Sequence, residues 1–251
     1  MTMAAPLAGW RGRALVVGCG GIGSALLDAL ALRAPGLELV GTCRHPLQLP
    51  EGRVADTVKL LSLDVTSDAS LAALRSTLEE GPPLRLVIYT AGLLHAKEMA
   101  PEKRLSQVQR HNLSDSFQVN AFGPLLLAQA VQTCLPKEQP CHFASLSARV
   151  GSITDNHLGG WYSYRAAKAA QNQLLRTLAV EWRRRLPLTC VSLLHPGTTA
   201  TDLSAPFQAN VPAERLFPPS RAANHLIDIL EGLEPEQSGS FWAWDGTSIP
   251  W

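Results

Sequence analysis

The chain has 251 residues, 46% hydrophobic and 17% charged, which excludes disorder driven by charge and is enough chain for one domain with one well-buried core. Lysine and arginine total 22 against 21 aspartates and glutamates, so a net charge of +1 leaves no electrostatic footprint for nucleic acid or an anionic membrane surface. A small molecule is the expected partner.

Short runs rich in Val, Leu and Ile at 14–18, 38–43, 57–63, 84–90, 142–146, 189–195 and 241–244 predict seven strands, most of them continuously apolar, as strands covered on both faces are. Helical periodicity predicts helices over 22–34, 67–80, 106–135, 161–185 and 220–233. This alternation is that of βαβ crossovers. The expected fold class is α/β, a Rossmann-type doubly wound parallel seven-stranded sheet with helices on both faces, in a single domain spanning 1–251. The segment 196–219 breaks the rhythm, with frequent Pro and Gly and no predicted strand. It leaves the carboxyl end of the sixth strand, where open α/β sheets bind ligands, and is expected to be a substrate lid.

The first strand runs into Gly18-Cys-Gly20-Gly21-Ile22-Gly23, in which Gly18, Gly20 and Gly23 satisfy GxGxxG between a strand and a helix. That context is the one a dinucleotide needs: a tight turn, close backbone approach to a pyrophosphate, and N–H donors at a helix N-terminus. After the second strand the chain reads Thr42-Cys43-Arg44-His45, with no acid to hold the ribose hydroxyls of NAD. A guanidinium at Arg44 suits a 2′-phosphate, so NADP(H) is favoured and NAD(H) is the second choice. Asp64, with Val65 beside it, follows the third strand and is placed either to accept from an adenine amino group or to serve as a turn residue before Ser67.

Near the start of the fourth predicted helix, Tyr164-Arg-Ala-Ala-Lys168 puts a phenol and an ammonium four residues apart on one helical face. A phenol in water ionises about three pH units above neutrality, so one that exchanges a proton near pH 7 needs a cation that favours the phenolate. With the glycine turn and this pair, the chain resembles the short-chain dehydrogenase/reductase family from Gly18 to Trp251. Its runs 147–153 and 159–164 and its ending Phe241-Trp-Ala-Trp-Asp-Gly resemble the C-factor-like, sniffer-like carbonyl reductases. The resemblance implies a catalytic tetrad of Asn120, Ser147, Tyr164 and Lys168. In it Tyr164 is the general acid in reduction, Lys168 holds the nicotinamide ribose and eases Tyr164 ionisation, Ser147 orients the carbonyl oxygen, and Asn120 supports a proton relay through water. It also implies that Ala91 and Gly92 after the fourth strand, and Pro196, Gly197, Thr198, Thr199 and Thr201 after the sixth, contact the cofactor.

Three positions depart from the family pattern. The glycine turn is one residue shorter than GxxxGxG, Thr90 stands in place of an Asn, and Ala148 occupies the position three before Gly151 where the serine commonly lies. Ser147 therefore needs a one-residue shift or bulge to aim inward, with Ser145 next in line on parity. Tyr162 lacks a partner Lys, and His95, His157 and His195 show no metal-ligand spacing. Arg183, Arg184 and Arg185 suit a solvated helix end, and the aromatic ending is expected at a subunit interface. Five cysteines without a CxxC pair fit a reducing, cytoplasmic compartment. Residues 1–13 lack export-signal features, and no apolar run reaches the roughly 18 residues of a spanning helix, so an unexported protein with no membrane segment is expected. The expected function is an NADP(H)-dependent carbonyl reductase or alcohol dehydrogenase acting on a small carbonyl or alcohol, as a homodimer or homotetramer. The alternative is a dinucleotide-binding signalling or redox-sensing protein with little turnover.

Overall fold

In the computed structural model, which describes residues 6–45 and 57–251, the first strand β1 (Gly12–Val17) sends Leu15 and Val17 to one face of the sheet and Ala14 and Val16 to the other. Residues 1–5 of the amino-terminal stretch considered for export lie outside the described residues. Both faces are apolar, so both must be covered. On one side lie α2 (Asp68–Glu79), α4 (Gly123–Val131) and α5 (Tyr162–Arg185), and on the other α1 (Gly21–Arg33) and α6 (Pro219–Gly232). The first layer is anchored by Trp182 of α5, which meets Phe143 edge to face at 5.6 Å, a geometry worth about 0.5–1.5 kcal/mol beyond the buried area.

The remaining strands are β2 (Leu37–Cys43), β3 (Lys59–Ser62), β4 (Leu84–Tyr89), β5 (Cys141–Leu146), β6 (Thr189–His195), β7 (Thr198–Thr199), β8 (Leu216–Phe217) and β9 (Ser240–Ala243). Six of them join β1 in one parallel sheet in the order β3-β2-β1-β4-β5-β6-β9, the predicted doubly wound arrangement. Between β1 and β4 the crossovers run in opposite directions, which opens a crevice at the carboxyl ends of those strands. Among the described residues no helix is long and apolar enough to cross a membrane, and no group of His, Cys, Asp and Glu could hold a metal.

Two expectations are corrected. The helix predicted over 106–135 is broken into α3 (Arg110–Phe117), a π-helical turn (Gln118–Phe122) and α4, with short 3₁₀ turns at Leu105–Gln107 and Gln132–Cys134. Pro124 has no N–H for the helical ladder, and Tyr89 donates its hydroxyl to the Val119 carbonyl at 2.6 Å. The segment 196–219 is not strandless either, since β7 and β8 pair in parallel around a 3₁₀ helix (Ala205–Asn210). Strands of two residues are too short to leave a periodic signal.

Candidate active site

The chain leaves β1 through Gly18 at φ 102°, a conformation that favours glycine. A Cβ there would lie 2.8 Å from the Ala91 nitrogen, and one at Gly23 would lie 1.8 Å from the Gly18 carbonyl oxygen. The two glycines thus let β1, β4 and α1 close on one another. At Gly20, the N-cap of α1, the same position meets nothing within 4 Å. The turn is packed behind and open in front, as backbone N–H groups that receive a phosphate must be. Thr90 serves this turn directly, its hydroxyl reaching the carbonyl oxygens of Gly18 at 2.6 Å and Val17 at 3.0 Å.

In front of the turn lies a cavity of about 580 Å³, a size suited to a cofactor. The structure brings Gly18, Gly20, Gly21, Ile22 and Gly23 to its lining together with Arg44, Asp64, Val65, Ala91, Gly92 and Thr201. Thr42 also lines it, with a buried hydroxyl that has no hydrogen-bond partner among the described residues. An open cradle and an orphaned hydroxyl fit a nucleotide. Arg44 is exposed at this wall. Asp64 accepts from the Thr66 N–H at 2.9 Å and hydroxyl at 2.7 Å, the turn role anticipated for it, through one oxygen. Those bonds, then the charges of Arg44 and His45, hold its carboxyl below the ordinary range.

Asn120, Tyr164, Lys168, Pro196, Gly197, Thr198 and Thr199 are not part of that lining. Asn120 sits in the π-helical turn and clasps the Leu93 backbone both ways, donating to its carbonyl at 2.7 Å and accepting from its N–H at 2.9 Å. Gly197, at φ 77°, lies against Phe217, where a Cβ would come within 2.6 Å of the ring. Thr199 is buried, and its carbonyl accepts from the Ser204 hydroxyl, which tightens the segment on itself. The segment also reaches the cavity, where Thr201 stands against Gly21 and the Asp202 carbonyl lies 3.0 Å from His95 Nε2.

Tyr164 and Lys168 lie within the first two turns of α5, both buried, with Lys168 Nζ 5.6 Å from the Tyr164 ring centre. Burial pushes the phenol pKa up. The same desolvation pulls the ammonium down to about 7. Nζ donates to the Leu146 carbonyl at 2.8 Å and to Gln171 Oε1 at 3.0 Å, so the amine is held from the end of β5. Ser147 donates its hydroxyl to Asn172 Oδ1 at 2.6 Å, and no hydrogen bond joins it to Tyr164. The β5–β6 register continues through Leu146 without the bulge that would turn Ser147 inward. Ser145, two residues earlier on the same face, accepts from Gln171 Nε2 at 2.6 Å. Asn172 is four residues beyond Lys168, so the helical period that links Tyr164 to Lys168 also flags it.

Sequence reasoning missed Glu102. Its side chain is 3% exposed, accepts from the Ser163 N–H at 3.2 Å and hydroxyl, and its backbone carbonyl accepts from Trp161 N at 2.5 Å. This clasp fixes the start of α5 one residue from Tyr164. Trp161 is its N-cap and takes a left-handed φ of 51° after Gly159 and Gly160 at 65° and 66°. For a residue other than glycine that conformation costs about 1–3 kcal/mol. No local signal marks a buried acid whose partners lie some sixty residues away.

A family model described as short chain dehydrogenase matches residues 13–212. The chain is 35% identical over 193 residues to the 1-hydroxy-2-glutathionyl-2-methyl-3-butene dehydrogenase of Rhodococcus sp. (strain AD45), covering 75% of this chain and 78% of that one. It is 35% identical over 147 residues to the C-signal of Myxococcus xanthus, covering 59% and 83% respectively. An NADPH-bound carbonyl reductase from chicken fatty liver superposes with a TM-score of 0.82 at 25% identity, over 96% of this chain and all of that one. The carbonyl reductase Sniffer of D. melanogaster shares the fold with a TM-score of 0.82 at 24% identity, over 96% of this chain and 100% of that one. With its glycine cradle and Tyr-Lys pair inside a family match that covers most of its length, the chain belongs to the short-chain dehydrogenase/reductase family of NAD(P)-dependent oxidoreductases.

Proposed function

We propose that the protein is an NADP(H)-dependent carbonyl reductase or alcohol dehydrogenase for a small carbonyl or alcohol, with Tyr164 as general acid in reduction and general base in oxidation. This reading is supported by the buried Tyr164–Lys168 pair in the first two turns of α5, together with the open glycine cradle and the cavity in front of it. When bound, the dinucleotide supplies or accepts the hydride. The residues do the rest. Gly18, Gly20, Gly21, Ile22 and Gly23 receive the diphosphate, Asp64 and Val65 the adenine, and Ala91 and Gly92 the middle of the molecule. Lys168 holds the nicotinamide ribose, and Pro196, Gly197, Thr198, Thr199 and Thr201 hold the carboxamide end from the 196–219 segment, which acts as lid. Asn120 keeps the 93–103 loop seated through Leu93 and supports a proton relay.

Tyr164 delivers its proton to the carbonyl oxygen, and Lys168, when charged, stabilises the phenolate that remains. Ser147 has one hydroxyl proton, which it donates to Asn172, so in this reading it tethers β5 to α5 and the phenol alone donates to the carbonyl oxygen.

Titration with NADPH followed by a panel of aldehydes, ketones and quinones, read by loss of reduced-cofactor absorbance, tests the reading. Tight NADPH binding with oxidation by a carbonyl is expected. Tight binding without turnover across the panel favours the redox-sensing alternative, for which the engaged Ser147 hydroxyl is the supporting observation. Cofactor choice has a separate test. Arg44→Asp replaces a phosphate-binding cation by a repelling anion and is expected to lower the NADPH-to-NADH ratio of kcat/KM by about ten- to a hundredfold. An unchanged ratio would refute the phosphate clamp.

A further inference from the structure

The polar side chains around Tyr164 are engaged with the protein itself. Ser147 donates to Asn172, the Glu102 carboxylate accepts twice from Ser163, and Asn120 is spent on Leu93 and on Ser116 at 3.1 Å. Next to Tyr164 stand aromatic faces instead. Trp161 meets the Tyr164 ring at 6.3 Å and 71°, and on its other contact packs on Phe207 of the 196–219 segment at 4.6 Å and 49°. Trp161 and Phe207 are both only partly buried, so neither is a core residue.

The backbone shows that the indole is wanted at this place. Gly159 and Gly160 already run left-handed, and a third glycine at 161 would follow them without strain. A bulky residue holds that conformation only because Glu102 and the start of α5 over-determine it, through the Trp161 N–H to Glu102 carbonyl bond and the carboxylate on Ser163. The strained residue is the one whose ring bridges the proton donor and the lid.

We propose that Trp161 and Phe207 form an aromatic jaw that selects carbonyl compounds with an aryl or large planar apolar substituent, which enters between the two rings while its carbonyl faces Tyr164. Trp161 is then a specificity-determining residue of the reductase reading, on which this inference rests. A planar ring replaces the Trp161–Phe207 contact face by face, whereas a short alkyl group leaves both rings partly uncovered. Closure of the lid and recognition of the substrate are thereby the same contact.

The test uses the full chain with saturating NADPH and two α-diketones that differ only in one substituent, 1-phenyl-1,2-propanedione and 2,3-butanedione. The wild type is expected to prefer the phenyl compound in kcat/KM. Trp161→Gly, chosen because glycine is at home at positive φ, and Phe207→Ala are each expected to lower that preference about tenfold. The loss should appear as a higher KM for the phenyl compound relative to that for butanedione; Trp161→Phe should retain most of the preference. No preference in the wild type, or one that survives both variants, overturns the jaw. Turnover of other carbonyls with reduction of neither dione overturns the jaw alone, whereas turnover of no carbonyl by the wild type defeats the reductase reading, a result visible before any variant is made.

Discussion

Replacing Tyr164 by Phe is expected to lower kcat for carbonyl reduction by about 10²- to 10⁴-fold, the usual contribution of a positioned general acid. The NADPH dissociation constant should stay within about twofold, because the ring and its packing against Trp161 survive and the glycine cradle lies on other elements. The phenol makes no hydrogen bond to another side chain among the described residues, so deleting its oxygen leaves no protein group unsatisfied and little loss of stability is expected. Ser147→Ala provides the contrast. It removes the donor to a buried Asn172 oxygen, so stability should fall by about 1–3 kcal/mol while kcat changes less than about threefold. If Tyr164→Phe keeps its activity, or Ser147→Ala loses as much as Tyr164→Phe, the roles assigned to these residues are wrong. Steady-state kinetics and chemical denaturation on both variants decide it.

The fold was legible because its strands are buried on both faces. Runs such as 84–90 and 189–195 are mostly apolar with no strict polar alternation, and the sheet uses both of their sides. The glycine turn and the Tyr-Lys pair were legible because each depends on local spacing: Gly23 must clear the Gly18 carbonyl, and residues four apart share a helical face. The break at Gln118–Phe122 was not read from the sequence: Pro124 interrupts the ladder locally, but the bond that Tyr89 donates to the Val119 carbonyl is a tertiary event. Parity on a strand was the better guide to Ser147. Ser145 and Ser147 share a face, and both meet α5, one through Gln171 and the other through Asn172. Glu102 and the left-handed Trp161 were out of reach, because a buried carboxylate is defined by partners that only the folded chain assembles.

In the proposed mechanism, Lys168 makes both stability and chemistry depend on pH. Burial lowers its pKa from the ordinary 10.5 to about 7, so between those values the unfolded chain holds more protons than the folded one, and stability from this group rises with pH across that window. Lys168→Met removes the buried amine. The stability difference, variant minus wild type, should therefore be largest at or below pH 7 and shrink as pH climbs toward 10.5. Function runs the opposite way. Only charged Lys168 stabilises the Tyr164 phenolate and attracts an anionic cofactor, so in the wild type NADPH affinity should weaken and kcat/KM for reduction should fall as pH rises from about 7. The cofactor's negative charge favours the ammonium, so the fall in kcat/KM at saturating NADPH should lie at higher pH than the onset seen in binding. In Lys168→Met both slopes should vanish, with kcat lower by about 10²- to 10³-fold at pH 7, since the phenol then gives up its proton with no cation to offset its burial. Binding and rate profiles from pH 6 to 9 on both proteins test the scheme, and a pH dependence of NADPH affinity that persists in the variant would assign the titration to another group.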